Sequence, residues 1–162
     1  MRDYQKYAAI VAAFATVLYF ALIVAAFGLI SLATNLEVVN EPDAGPLVGP
    51  SMTGAAVLLV FIVMVTHGVK APPERQRVAV GFAVATGVAA FAIFIAVGAL
   101  LYWIGDGQPL HAITFAESTL LSPFPLATGI LAFIVALGYS LILASRLGEH
   151  GRPLWPWERR NE

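Results

Sequence analysis

Hydrophobic residues fill four long stretches of the chain, and charged residues are confined to the segments between them. No Asp, Glu, Lys or Arg occurs in residues 7–36, 44–69, 78–105 or 118–145. A helix that crosses a hydrocarbon core about 30 Å thick needs about 20 residues, and each stretch is longer than that. Backbone groups in hydrocarbon find no water, so such stretches must be helical. The pattern predicts transmembrane helices near residues 8–33, 51–69, 79–104 and 124–145.

The order of these stretches predicts an all-α membrane protein whose four transmembrane helices form two hairpins in an antiparallel bundle. We expect residues 1–162 to make one transmembrane domain, with a hinge at 70–78 between the hairpins and a tail at 146–162. Pro50-Ser51 and Ser122-Pro123 predict helix starts with a capping hydroxyl, because proline is tolerated in the first helical turn. Residues 105–123 are expected to form a loop that is solvated or lies on the membrane.

Composition supports the membrane assignment. The chain is 59% hydrophobic and 12% charged, whereas about 25% charged residues is typical of a soluble domain. It contains no cysteine, which excludes disulfides, thiolate metal sites and cysteine nucleophiles. Seven of the nine basic residues are arginine, a bias that suggests a bacterial source.

The charges are sorted between alternate loops. Every Lys and Arg lies before the first stretch, between the second and third, or after the fourth, whereas the other two loops hold only acidic charges. Short loops rich in Lys and Arg stay cytoplasmic. We therefore expect a multi-pass protein of the bacterial plasma membrane with both termini in the cytoplasm. The few basic residues are explained by topology, so no nucleic-acid partner is expected.

Small residues recur along the fourth predicted helix and indicate a packing face. Small side chains four residues apart let membrane helices approach closely. The face could contact the rest of the bundle or a second subunit. Its members are Thr128, Ala132, Ala136, Ser140 and Ala144. In the third helix Ala79, Ala83 and Gly87, and farther out Ala92 and Ala96, show the same spacing, which an alanine-rich chain also produces by chance.

Residues that could carry chemistry are few, and we predict no catalytic residue, metal site or cofactor. His67 and His150 could in principle hold a haem, but His150 falls beyond the end of its span. His111 and Glu117, with Asp106, could form a metal site on a short outer helix through residues 112–117, but a spacing of six residues puts them on different helix faces. Scattered polar residues within the spans could hold a transported solute, although such groups usually bond to a helix backbone; they are Thr16, Tyr19, Thr66, Thr86 and Tyr139.

A weak internal repeat links the two halves. Residues 50–54 and 125–129 both read Pro-x-x-Thr-Gly and open the second and fourth predicted helices. This could record a duplication of one hairpin, or the reuse of interfacial residues in a simple sequence.

Three functions remain open. The first is a non-catalytic accessory or interaction subunit in the lipid bilayer, which would dock on a membrane-protein partner, or on copies of itself, through the packing face and the basic segments. The second is a small oligomeric channel or facilitator for an ion or small solute. The third is a membrane enzyme acting on lipid or quinone, which would use His111 and Glu117 together.

Overall fold

The computed structural model of the protein describes residues 2–39, 45–70 and 78–145, with side chains from residue 5 onward. Four of the helices in these ranges are long and apolar enough to cross a membrane. They confirm the prediction of an all-α membrane protein with four transmembrane helices. The described residues form α1 (Arg2–Thr34), α2 (Val48–Lys70), α3 (Val80–Asp106), the shorter α4 (Pro109–Leu121) and α5 (Pro123–Ser145), and no strand.

Two predicted helix starts differ in detail from the structure. Helix α2 begins at Val48, three residues before the predicted start, and the Ser51 amide already bonds to the Leu47 carbonyl oxygen at 3.1 Å. Ser51 therefore lies inside the first turns rather than at a cap. Helix α5 begins at Pro123, one residue from the predicted start, but the Ser122 hydroxyl donates to the Thr119 carbonyl oxygen at 2.7 Å. That hydroxyl consequently caps the end of α4 instead of the start of α5.

The long helices alternate in direction around a common core. Each packs against two neighbours, in the order α1, α2, α3, α5 and back to α1. Tyr19 bonds to Thr128 whereas Tyr139 bonds to Ala8, so α1 and α5 are antiparallel. The two predicted hairpins are thus closed into one group of helices by the contact between α5 and α1.

Buried positions recur along one face of each helix. In α2 they come every fourth residue, from Val48 through Met52 to Gly68. In α1 the fully buried positions include Ala8, Ala12, Tyr19 and Ile23. Near the start of α5, the Phe27 ring meets the rings of Phe94 and Phe124 edge-on, with centroids 5.8 and 5.1 Å apart. The interior is a continuous cluster of packed side chains.

Helix α4 replaces the loop that was expected at residues 105–123. Gly107 ends α3 in the left-handed conformation (φ 75°), and Pro109 stands in the first turn of α4. Both positions suit these residues, since glycine tolerates positive φ and proline needs no amide partner at a helix start. Phe115 is 2% exposed and stacks on Tyr102 of α3 at 4.9 Å. The expectation of a loop was wrong because burial of Phe115 holds this segment back against α3.

Candidate functional site

The predicted packing face of α5 lies inside the protein. Thr128, Ala132 and Ala136 are fully buried, and Ser140 and Ala144 are at most 5% exposed. The hydroxyls of Thr128 and Ser140 donate to backbone carbonyls of their own helix at 2.9 and 2.8 Å. Helix α5 packs mainly on α3 and α1. The chain's own helices therefore occupy this face, and it is not available to a second protein.

Helices α3 and α5 approach each other closely at a glycine pair. A Cβ built on Gly87 would lie 2.8 Å from the Gly129 carbonyl oxygen, and one built on Gly129 would lie 3.0 Å from the Gly87 oxygen. Beside the pair, Phe91 and Phe133 flank an apolar surface groove of about 520 Å³. The small residues of α3 thus divide into two groups. Ala83 and Gly87, in the first half of α3, are buried, whereas Ala92 and Ala96, farther along the helix, are exposed.

The polar side chains proposed for solute binding do not form a common site. The hydroxyls of Thr16 and Thr86 each donate to the carbonyl oxygen four residues earlier, both at 2.8 Å, and that of Thr66 donates to the oxygen three residues earlier at 3.0 Å. Tyr19 donates to the Thr128 oxygen at 3.1 Å. Each hydroxyl is used to satisfy the backbone within or between helices, as polar groups in hydrocarbon must be.

Tyr139 takes part in a junction of three helices that the sequence did not reveal. Its hydroxyl donates to the Ala8 carbonyl oxygen at 3.2 Å. A Cβ built on Gly68 would overlap this hydroxyl and lie 3.0 Å from the Ala8 Cβ. The junction joins α1, α2 and α5 at one end of the molecule, and the absence of a side chain at Gly68 makes room for the tyrosine.

The contacts at that junction also place the described charges. Lys6 is two residues from Ala8, and Lys70 is two residues from Gly68, so both lysines lie at the same end of the helices. Glu37, Asp106 and Glu117 belong to the segments that join the opposite ends. The described lysine side chains therefore lie at one end of the helices, and the described acidic side chains lie at the other end. The other basic residues of the hinge and tail lie outside the described residues, and the side chain of Arg2 at the start of α1 is not described.

At the lysine end, α2 and α3 border an open surface cleft of about 390 Å³. It is lined by Val63, Thr66, His67, Lys70 and Phe82. The His67 ring stacks on the Phe82 ring with centroids 3.8 Å apart and planes 19° apart. One face of the His67 ring is therefore covered by Phe82. Its suggested haem partner, His150, lies outside the described residues.

At the opposite end, Asp106 and His111 form a close pair. His111 Nδ1 lies 2.6 Å from Asp106 Oδ2, and both side chains are partly exposed. The pair spans the turn between α3 and α4, so it fastens one helix to the next. Glu117 lies six residues beyond His111 on α4. Among the residues with a described position, no group of three His, Asp or Glu side chains could hold a metal ion.

The two Pro-x-x-Thr-Gly segments open α2 and α5, but they do not occupy equivalent surroundings. Thr53 and Thr128 both donate to the carbonyl oxygen four residues earlier. Gly54 has nothing within 4 Å of a built Cβ, however, whereas Gly129 lies in the tight glycine pair. The shared feature is therefore limited to the helix start.

Comparison with curated proteins and with solved structures finds no match. A protein family does match, over residues 1–162, and its description is a family of unknown function, DUF6121. Because the match extends over the whole sequence, the chain belongs to the DUF6121 family.

Proposed function

We propose that the protein is a non-catalytic accessory subunit of the plasma membrane that binds a membrane-protein partner or further copies of itself. The single observation that carries the proposal is the use of the interior for packing. Core positions hold alanine, branched aliphatic, methionine and aromatic side chains. Among the described residues, no buried side-chain polar atom lacks a hydrogen-bond partner. An interior of this kind provides stability and shape, and it leaves function to the outer surface.

The proposal differs from the sequence-based hypothesis in the surface that it uses. The small-residue face of α5 is buried within the chain, so a partner must meet other faces. The described helices expose apolar side chains on their outward faces, and three of them serve as representatives: Phe14 on α1 is 74% exposed, Ile113 on α4 is 65%, and Ile130 on α5 is 49%. The proposed orientation, with both termini in the cytoplasm, follows from the loop charges.

Purification in a mild detergent, followed by native mass spectrometry, tests the accessory role. We expect a complex heavier than the 17.2 kDa chain. A photo-crosslinking residue introduced at position 14, 113 or 130 then identifies the face involved. We expect one of the three positions to give a discrete crosslinked protein and the other two to serve as its controls. A strictly monomeric protein that gives no crosslinked protein from any of the faces would contradict the proposal.

The channel alternative receives less support from the geometry. Tyr19, Phe94 and Tyr139 are buried between the helices, so a path through one chain would require these side chains to move. A pore between chains would be lined by the outward faces, which are largely apolar. Flux of ions or small neutral solutes through protein-containing liposomes would favour this alternative over the accessory role.

The enzyme alternative is favoured by one observation, the Asp106–His111 pair. A carboxylate that holds an imidazole nitrogen leaves the other nitrogen to act as a general base. The structure pairs His111 with Asp106 rather than with Glu117. Replacing His111 and Glu117 together by alanine, with no loss of the cellular phenotype that deletion of the whole gene produces, would eliminate this alternative.

A further inference from the structure

The cleft that α2 and α3 border at the lysine end has apolar residues toward the membrane centre and a cationic residue toward the surface. Val63 lies two turns before the end of α2, and Lys70 is the last residue of that helix. Seven residues of helix correspond to about 10 Å along the axis. Val63 therefore lines the part of the cleft nearer the membrane centre, Phe82 lies at the level of His67, on whose ring it stacks, and the Lys70 ammonium can reach the surface. An amphipathic molecule that enters from the lipid would meet apolar walls with its chain and a cation with its head.

Two polar side chains of this cleft, His67 and Lys70, have no hydrogen-bonding partner among the described residues, whereas the Thr66 hydroxyl donates to the Val63 carbonyl oxygen. Within the described ranges, neither the His67 ring nitrogens nor the Lys70 ammonium makes a hydrogen bond or an ion pair. The Phe82 stack fixes the plane of the imidazole and leaves its edge free. Lys70 and His67 are three residues apart, so they project from the same side of α2. Together they can present an N–H and an ammonium group to one anion.

We propose that this cleft binds the phosphate headgroup of an anionic phospholipid, with an acyl chain along Val63 and Phe82. Lys70 supplies the charge, and His67 donates a hydrogen bond from a ring held by Phe82. Basic pockets between transmembrane helices are suited to anionic headgroups, and a lysine near the membrane surface contributes about 1 kcal/mol to their attraction. The bound lipid comes from the membrane leaflet at the lysine end of the helices. This inference does not depend on the accessory role, because a lipid can occupy the cleft of a monomer.

Native mass spectrometry of the full chain tests the inference. The protein in a mild detergent is mixed with equal amounts of phosphatidylglycerol and phosphatidylcholine that carry identical acyl chains, and the retained lipids are counted. We expect phosphatidylglycerol to be retained preferentially, and Lys70→Gln to reduce the ratio of the two lipids roughly fivefold, the effect of one lysine near the surface. Lys70→Arg should keep the preference. His67→Phe, which preserves the stack but removes the donor, should lower it.

Lys6→Gln is the matched control. Lys6 lies at the same end and is exposed, but it does not line the cleft. Its loss removes the same charge and should leave the lipid ratio unchanged. Because both lipids are measured on the same folded variant, a change in stability alone does not alter the ratio.

Several results would overturn the inference. One is equal retention of the two lipids by the unsubstituted protein, which remains informative even if a variant fails to fold. Another is a preference that survives Lys70→Gln and disappears instead on replacement of Arg75 or Arg77. Displacement of phosphatidylglycerol by millimolar inorganic phosphate would show that the cleft takes a soluble anion rather than a lipid.

Discussion

Replacing Gly87 by alanine should separate α3 from α5. The added Cβ would lie 2.8 Å from the Gly129 carbonyl oxygen and 3.0 Å from the Phe133 Cβ. Neither neighbour is the flexible end of a side chain, so neither can turn aside. Relief requires the two helices to move apart by a few tenths of an ångström. Because this pair of helices shares the most extensive contact in the protein, the movement loosens packing on both sides of the crossing.

The expected cost is about 1–3 kcal/mol, the usual penalty for an extra methyl group in a well-packed core. Alanine is also a better helix former than glycine by about 1 kcal/mol, which partly offsets the loss. Gly138→Ala corrects for this gain. Gly138 lies within α5 with nothing within 4 Å of a built Cβ, so its substitution adds helix propensity without the clash. The difference between the two variants should equal the packing penalty.

Reversible unfolding in mixed micelles, followed by circular dichroism as the fraction of denaturing detergent rises, measures this difference. We expect Gly87→Ala to unfold earlier than the unsubstituted protein, and Gly138→Ala to unfold at the same point or later. If the free energies of unfolding of the two variants agree to within about 0.5 kcal/mol, the close contact of α3 and α5 is refuted as a source of stability.

Three further predictions concern the junction, the outer helix and the orientation. Gly68→Ala should destabilise the protein because its Cβ overlaps the Tyr139 hydroxyl, and adding Tyr139→Phe should restore part of the loss in the same unfolding assay. Phe115→Ala should cost about 3–5 kcal/mol, as for other buried aromatic residues, and should expose the α4 backbone to faster hydrogen exchange. Since the chain has no cysteine, Glu117→Cys should be labelled by a membrane-impermeant thiol reagent in intact cells, and Lys6→Cys only after lysis.

Each of these predictions has its own control. Tyr139→Phe alone should destabilise the protein, because the Ala8 carbonyl oxygen loses this hydrogen bond, whereas it should stabilise the Gly68→Ala variant. An equal effect in the two backgrounds would show that the two residues are not coupled. Leu121, which is 82% exposed, provides an alanine substitution on α4 that should leave exchange unchanged. Labelling of position 6 in intact cells would reverse the proposed topology, together with the leaflet assigned to the lysine cleft.

The number of transmembrane helices could be predicted because it depends on a property of the sequence itself. An uncharged stretch long enough to cross the bilayer must be helical wherever its neighbours lie. The predicted spans at 51–69 and 124–145 correspond to α2 (Val48–Lys70) and α5 (Pro123–Ser145). Helix α4 was not predicted at its full length, because it carries Thr114, Glu117 and Ser118 among its apolar residues. Its position depends on Phe115 packing against Gly98, a contact between distant parts of the chain.

The sequence by itself determined that the chain is an all-α membrane protein and that its charges alternate between connecting segments. Hydropathy and charge act locally, so they can be read one segment at a time. Only the tertiary structure decided that the regular small-residue face of α5 is internal, that Gly68 accommodates Tyr139, and that His67, Lys70 and Phe82 share a cleft. Small and polar residues have the same spacing whether they face a neighbouring helix, a second protein or lipid, and the packing of all four helices determines which of these they meet.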